Sequence, residues 1–564
     1  MMSVLQSYVQ GASDRPLIGT TIGEMFDTIA AAHATREALV VPHQKVRWTY
    51  EELKRRVEEL ALGFGRLGLE PGDRIGLWSP NCAEWVLTQF ATAKAGLVLV
   101  NINPAYLGNE LEYALNKVGC KALILAPALR TTDYIAILQA LSPEMTNAAA
   151  NEWRSAAVPS LRTVIRLGTD RTPGMWNFDE LSKPADAGDL AQLADRGGRF
   201  QFDDPINIQF TSGTTGAPKA ATLSHHNILN NAFFVGETLQ LTPSDRVCIP
   251  VPLYHCFGMV LGSLTCMTHG ATMVFTGEAF DPLAVLQTVH AERCTTLYGV
   301  PTMFIEALDH PRFAEHDLSS LRTGIMAGAP CPIEVMRRVV SRMHMQQVTI
   351  AYGMTETSPI SFQSSVDDTV ERRVSTVGLV QPHLEVKIVD DDGRIVRRGQ
   401  TGELLTRGYS VMLGYWGDDA HTRESIDAAG WMHTGDLATI DDQGYCSIVG
   451  RAKDMVIRGG ENIYPREIEE FLYRHPKVRD VQCVGVADAK YGEELCACVI
   501  LRDGEQATEQ DIRDFCDGKI ARYKIPRYVR FVTSFPMTVT GKVAKYLLRE
   551  QMTRELGGRD AKAA

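Results

Sequence analysis

The stretch Gln209-Phe210-Thr211-Ser212-Gly213-Thr214-Thr215-Gly216-Ala217-Pro218-Lys219 constrains this chain more than any other. It follows Ile206 to Phe210, which has the apolar character of a short strand, and precedes Ala220-Ala221-Thr222-Leu223-Ser224-His225, which reads as a second strand or a turn. Glycines let the backbone approach a ligand closely, and a turn rich in free N–H groups forms a concavity that accepts anions. The hydroxyls add donors and Lys219 adds a point charge, so the stretch suits a polyphosphate. A polar surface turn uses the same residue types, and the stretch alone does not separate the two. It is not a Walker A loop, because Pro218 stands before Lys219 where that motif needs glycine.

At 564 residues the chain is too long for one core, and a prior of about 150 residues per domain suggests three or four units. A net charge of -11 argues against a nucleic-acid footprint or a basic membrane face. The twelve cysteines are scattered, and the nearest pair, Cys496 and Cys498, is too close for a zinc knuckle, so free thiols are expected. Met1 to Asp14 has neither a basic nor an apolar leader region. The apolar window Trp85 to Val100 is interrupted by Lys94 and reads as a buried helix and strand, not a membrane span. A cytoplasmic location with no transmembrane segment and no nucleic-acid partner is the expectation; a homodimer is left open.

Thr49-Tyr50-Glu51-Glu52 matches a capping box, and Leu53, Val57, Leu60, Ala61 and Phe64 repeat at helical spacing. That helix runs into Gly63-Phe64-Gly65-Arg66-Leu67-Gly68, which matches the dinucleotide fingerprint but lies at a helix C-terminus, so a dehydrogenase is set aside. Arg74 to Leu77, Leu97 to Val100 and Ala122 to Leu125 predict parallel strands between helices, and Ile135 to Ala157 predicts helix on one or both sides of Pro143. From about Val374 alternation and turns predict a β-rich unit. The expected organisation is a large α/β N-terminal domain over 1–450, with a small β-rich subdomain at about 374–450. A hinge at 451–453 and a small mobile α+β C-terminal domain over 454–564 follow.

Four further segments carry chemistry-bearing residues: Ala351-Tyr352-Gly353-Met354-Thr355-Glu356-Thr357; Trp431-Met432-His433-Thr434-Gly435-Asp436; Gly450-Arg451-Ala452-Lys453-Asp454 with Arg458-Gly459-Gly460-Glu461-Asn462; and Pro536-Met537-Thr538-Val539-Thr540-Gly541-Lys542. Singly, each has a plain structural explanation. Together and in this order, from about Thr21 to Leu548, they resemble the adenylate-forming superfamily of acyl-CoA synthetases, aryl-CoA ligases, luciferases and peptide-synthetase adenylation domains. Pro252-Leu253-Tyr254-His255-Cys256-Phe257-Gly258 is similar to the acyl-pocket segment of medium-chain fatty acyl-CoA synthetases, and it lacks the acid that holds an amino-acid substrate.

The resemblance implies a ligase that uses ATP and Mg2+ to turn a carboxylic acid into acyl-AMP and then transfers it to coenzyme A. It implies that Thr211, Ser212, Gly213, Thr214, Thr215, Gly216 and Lys219 hold the β- and γ-phosphates, that Thr355 meets the α-phosphate and that Glu356 binds the metal. Tyr352 and Gly353 with the turn at Gly328 and Ala329 would meet adenine, Asp436 and Arg451 the ribose, and Lys542 the reacting carboxylate and phosphate. Lys453 would be the hinge about which Gly459, Gly460 and Glu461 replace Lys542 for the thioester step. Tyr254, His255, Phe257, Gly258, Met259 and Gly299 would line the acyl pocket. The run Arg522 to Arg527 is a candidate for coenzyme A phosphates or a solvated basic loop. The alternatives are an aryl- or branched-acid CoA ligase, and a catalytically silent nucleotide- or acyl-binding protein.

Overall fold

The computed structural model describes residues 5–211, 218–458, 461–488, 491–538 and 542–560. Among these, one sheet runs in the order Trp176–Asn177, Thr163–Arg166, Ala122–Leu125, Arg74–Trp78, Val98–Asn101, Pro205–Thr211, Lys219–Ser224, Gly414–Tyr415. Its strands are parallel up to Pro205–Thr211 and antiparallel beyond it. Unbroken apolar runs such as Val98-Leu99-Val100 are what a sheet covered on both faces requires, and all three are buried.

The helix Ala83–Ala95 is buried nearly all round. Lys94 is tolerated there because its ammonium meets Asp27 at 2.6 Å and Glu58 at 3.2 Å. The helix Tyr50–Arg66 starts at a capping box of Thr49 and Glu52. A Cβ at Gly63 would stand 2.5 Å from the Leu181 carbonyl oxygen, so this glycine serves close packing, not a phosphate. The helix predicted around Pro143 extends only over Tyr134–Leu141, because Pro143 has no N–H to continue it and opens a single 3-10 turn.

A second sheet contains the parallel neighbours Thr296–Gly299, Thr323–Ala327 and Gln347–Gly353. Their carboxyl ends lie side by side, the place where open α/β sheets bind ligands. The β-rich unit is an antiparallel sheet of Leu384–Val389, Gly402–Gly408, Met432–Ile440 and Cys446–Arg451. Tyr8–Gln10 adds an edge strand that the sequence reading did not include.

A single helical turn, Ala452–Asp454, follows Arg451. Beyond it, Val456–Arg458, Glu461–Ile463, Val478–Asp488, Gly492–Leu501 and Tyr528–Phe531 form a separate sheet, packed by the helices Pro465–Leu472, Glu509–Cys516 and Lys545–Asp560. Val456, Ile468, Val481, Leu495, Ile512 and Val529 form an apolar cluster of its own there. The architecture is therefore a large α/β domain with a β-rich subdomain and a small C-terminal α+β domain. Among the described residues, no helix is long and apolar enough to cross a membrane.

Candidate active site

Three chain turns leave the adjacent strand ends. At Gly353 a Cβ would fall 1.7 Å from the Pro359 carbonyl oxygen, so the chain folds back on itself there as only glycine permits. The turn Thr355–Thr357 follows and buries Glu356, which is 7% exposed. Met412 N donates to the Glu356 carbonyl oxygen at 2.9 Å, and the Tyr415 hydroxyl donates to its carboxylate at 3.0 Å. Lys219 Nζ lies 4.9 Å from the centre of the Tyr415 ring, a cation–π contact that links Lys219 to the Glu356 environment. Thr211 and Lys219 are register partners. Ser212, Gly213, Thr214, Thr215 and Gly216, expected between them, lie outside the described residues, as do Gly459 and Gly460.

Asp436 is 6% exposed and receives two donors, the Tyr352 hydroxyl and Arg451 Nε at 3.1 Å. Asp436 and Arg451 face each other in the antiparallel pair of their strands, which fixes the ion pair by register. Burial, reinforced by the Asp436 carboxylate, pushes the Tyr352 phenol well above its ordinary range, so it stays a donor.

Lys542 reaches this region from the C-terminal domain on a tight reversal: Thr538 N donates to the Lys542 carbonyl oxygen at 2.7 Å, and Lys542 N donates to Thr538 Oγ1 at 3.1 Å. Its side chain lies against Gly328, whose φ is +88°. Burial lowers the Lys542 pKa, with the thiol of Cys256, Arg451 and Asp436 close enough to act on it electrostatically. The structure thus brings together Tyr352, Asp436, Arg451, Gly328 and Lys542, with Thr355 and Cys256 alongside. Ala329 is exposed beside Gly328, and Glu461 is exposed opposite Arg458. Lys453, in the turn after Arg451, is exposed, and its pKa is lowered by desolvation and then by Arg451.

On the other side of Lys542, His255 Nδ1 accepts from Phe257 N at 3.1 Å and starts the turn Cys256–Gly258, which continues as a π-helix over Met259–Leu264. Burial, with Lys542 second, holds the imidazole down at about 3, so it is a neutral acceptor and cap. Cys256 Sγ is 3.8 Å from Thr355 Oγ1, and burial pushes that thiol up to about 11. The Phe257 ring stacks on Tyr298 with centroids 5.9 Å apart. A Cβ at Gly258 would be 2.3 Å from the Pro252 carbonyl oxygen, and one at Gly299 would be 3.0 Å from Phe304. Asn101 Nδ2 donates to the Tyr254 carbonyl oxygen at 2.9 Å and lies 3.6 Å from Met259 Sδ.

Among the described residues, no group of three or more His, Cys, Asp or Glu could hold a metal ion. The buried carboxylate of Glu356 fits Mg2+, which takes one or two carboxylates and completes its shell with phosphate oxygens and water. Lys524 of the basic run is held by Glu467 at 2.6 Å. Tyr415, Cys256 and Asn101 were missed at the sequence level. A tyrosine following Gly414 was the one available sign, and it is too common a pattern to single out a site.

The profile of the AMP-binding enzyme family matches residues 26–416, and that of the AMP-binding enzyme C-terminal domain matches residues 467–542. YngI of Bacillus subtilis (strain 168) is 50% identical over 536 residues, spanning 95% of this chain and 97% of that protein. The mitochondrial medium-chain acyl-CoA ligase ACSF2 of Homo sapiens is 47% identical over 562 residues, spanning 98% and 90%. The crystal structure of the anthranilate CoA ligase AuaEII in complex with anthranoyl-AMP superposes with a TM-score of 0.84 at 26% identity, covering 97% of this chain and 99% of the other. With both family profiles in chain order and the site assembled where they meet, this chain belongs to the AMP-binding enzyme family.

Proposed function

We propose that the chain is an ATP-dependent acyl-CoA synthetase acting on medium-chain fatty acids. A carboxylate attacks the α-phosphorus of ATP and releases pyrophosphate, and the thiol of coenzyme A then displaces AMP from the acyl carbon. The single observation that carries this reading is the Lys542 side chain laid against Gly328 beside Asp436. Two anions repel as they approach, and a preorganised ammonium at that point offsets the repulsion as charge develops.

Thr211, Lys219 and residues 212–216 hold the β- and γ-phosphates in this scheme. Thr355 meets the α-phosphate, and Glu356 is the metal carboxylate. Mg2+, when bound, supplies positive charge to the phosphate oxygens. Tyr352 lies against adenine, while Asp436, fixed by Arg451, accepts from the ribose hydroxyls. The acyl chain lies along Phe257, Gly258, Met259 and Gly299, where each buried CH2 contributes about 0.8 kcal/mol. The name of ACSF2 supports a medium-chain substrate, and the anthranoyl-AMP of AuaEII supports an acyl-adenylate intermediate.

The same proposal has the domain boundary at 451–453, with 454–564 turning about Lys453 so that 459–461 take the place of Lys542. That twelve of twelve cysteines are free thiols supports a reducing compartment such as the cytoplasm. The test is coenzyme A-dependent AMP release across straight-chain acids from acetate to palmitate, with benzoate and branched acids alongside. A maximum at medium chain length is expected. A maximum with benzoate or a branched acid would replace the substrate class, and no release with any acid would leave a silent binding protein.

A further inference from the structure

We propose that two ion pairs in the C-terminal domain, each on a buried carboxylate, position its two reactive segments separately. Lys545–Glu469 sets Lys542 for acyl-AMP formation, and Arg458–Glu494 sets Glu461, the register partner of Arg458, for thioester formation. The inference rests on the function proposed above and adds positioning residues to it.

Lys545 opens the helix Lys545–Asp560, three residues after Lys542. Its Nζ is 2.5 Å from Glu469 Oε1, and Glu469 is only 4% exposed. The same carboxylate oxygen accepts from Cys483 N at 2.7 Å, so Glu469 is itself tied to the long strand Val478–Asp488. The reversal that carries Lys542 is held within itself by Thr538 and by the Ala544 N to Pro536 carbonyl bond. Those bonds shape the reversal but do not say where it points. Lys545 supplies that, by fastening the next turn of chain to the helix Pro465–Leu472.

The other segment has a different fastening. Val456–Arg458 is a three-residue strand that, among the described residues, is in register with the long strand Gly492–Leu501 at Arg458 and Gly492. Its full-length backbone partner is the equally short strand Glu461–Ile463, and two strands of three residues have little hold on the rest of the domain. Side chains supply it: Arg458 grips Glu494 through two N–H groups at 2.7 and 2.9 Å, and its guanidinium covers the Tyr491 ring at 4.3 Å. Glu494 is 2% exposed, and the neighbouring Glu493 accepts from Ile457 N at 2.9 Å. A bidentate Arg–carboxylate pair fixes orientation as well as distance. Arg458 is the residue before 459, and it stands opposite Glu461 in the register.

The two pairs share one small domain, so loss of domain stability lowers both half-reactions together, whereas loss of positioning lowers one. In the full chain, acyl-AMP formation is read by pyrophosphate exchange, and thioester formation by mixing purified acyl-AMP with coenzyme A. Lys545→Met is expected to slow the first by about tenfold or more and leave the second within about twofold. Arg458→Met is expected to do the reverse, and Arg458→Lys to recover only part of the loss, because an ammonium cannot make the bidentate grip. Should a methionine variant not fold, Glu469→Gln and Glu494→Gln, which keep shape, make the same comparison. Parallel loss of both rates, or loss of neither, overturns the proposal while leaving the ligase reading intact. If the parent chain carries out neither half-reaction with any acid, the ligase reading itself fails and the positioning roles fall with it.

Discussion

The Lys542 side chain lies across the bare backbone of Gly328: a Cβ built there would be 2.9 Å from Lys542 Cε and 3.7 Å from Nζ. Gly328 also has φ +88°, a conformation that costs an L side chain roughly 1–2 kcal/mol. Gly328→Ala therefore both strains the turn and displaces the lysine, and acyl-AMP formation should fall by about tenfold or more. An unchanged rate of pyrophosphate exchange would show that the lysine works from elsewhere.

Removing the ammonium altogether is the harsher change. Lys542→Ala should lower acyl-AMP formation by about 100- to 1000-fold, as loss of one transition-state donor does in other sites. Because burial lowers the pKa of Lys542, the parental rate should also decline at a lower pH than an ordinary lysine would give, as the pH is raised and the charge is lost. A pH profile of pyrophosphate exchange reads both.

Among the described residues, Glu356 is the buried carboxylate that Tyr415 ties to Lys219, the residue proposed above to hold the phosphates. Glu356→Gln should raise the Mg2+ concentration needed for half-maximal exchange by more than about tenfold. Tyr415→Phe, which only removes a hydrogen bond to that carboxylate, should raise it by about tenfold at most. Equal Mg2+ dependence in all three proteins would remove Glu356 from the metal site.

Lys453 sits in the single helical turn between the last strand of the large domain and the first strand of the small one. Proline there fixes φ. Lys453→Pro should spare acyl-AMP formation and slow its transfer to coenzyme A, measured by rapid quench. Equal loss of both steps would count against a pivot at this residue.

Away from the site, His225 accepts a hydrogen bond from Ile22 N at 3.1 Å, and burial holds its pKa down to about 4. In the unfolded chain it titrates near the ordinary value of about 6.5, so between those values the unfolded state binds a proton that the folded state does not. Stability is complete above about pH 6.5 and is lost as pH falls toward 4, by up to about 3 kcal/mol. His225→Gln should flatten the Tm profile across that window; an unchanged slope would assign the acid sensitivity to other groups.

What could be read from the chain alone was whatever depends on neighbours in sequence. The Thr49–Glu52 capping box needs only four consecutive residues, and it forms as expected. Each of the five motifs is likewise a run of consecutive residues. Tyr8–Gln10 escaped because three residues show no period, and its partner strand begins at Leu384. The tie between Tyr415 and Glu356 spans 59 positions and that between Lys545 and Glu469 spans 76, with nothing in either segment to name the other. Lys94 looked like an interruption of an apolar run, when its partners on two other helices make it part of the interior.

Among the described residues, the two apolar clusters of the C-terminal domain, between Val456 and Leu556, draw no residue from the larger domain. A unit closed in this way can be grafted. A relative's version joined after Arg451 would leave both interiors undisturbed, and what such a transplant has to match is the small polar seam where its lysine meets Gly328 and Asp436.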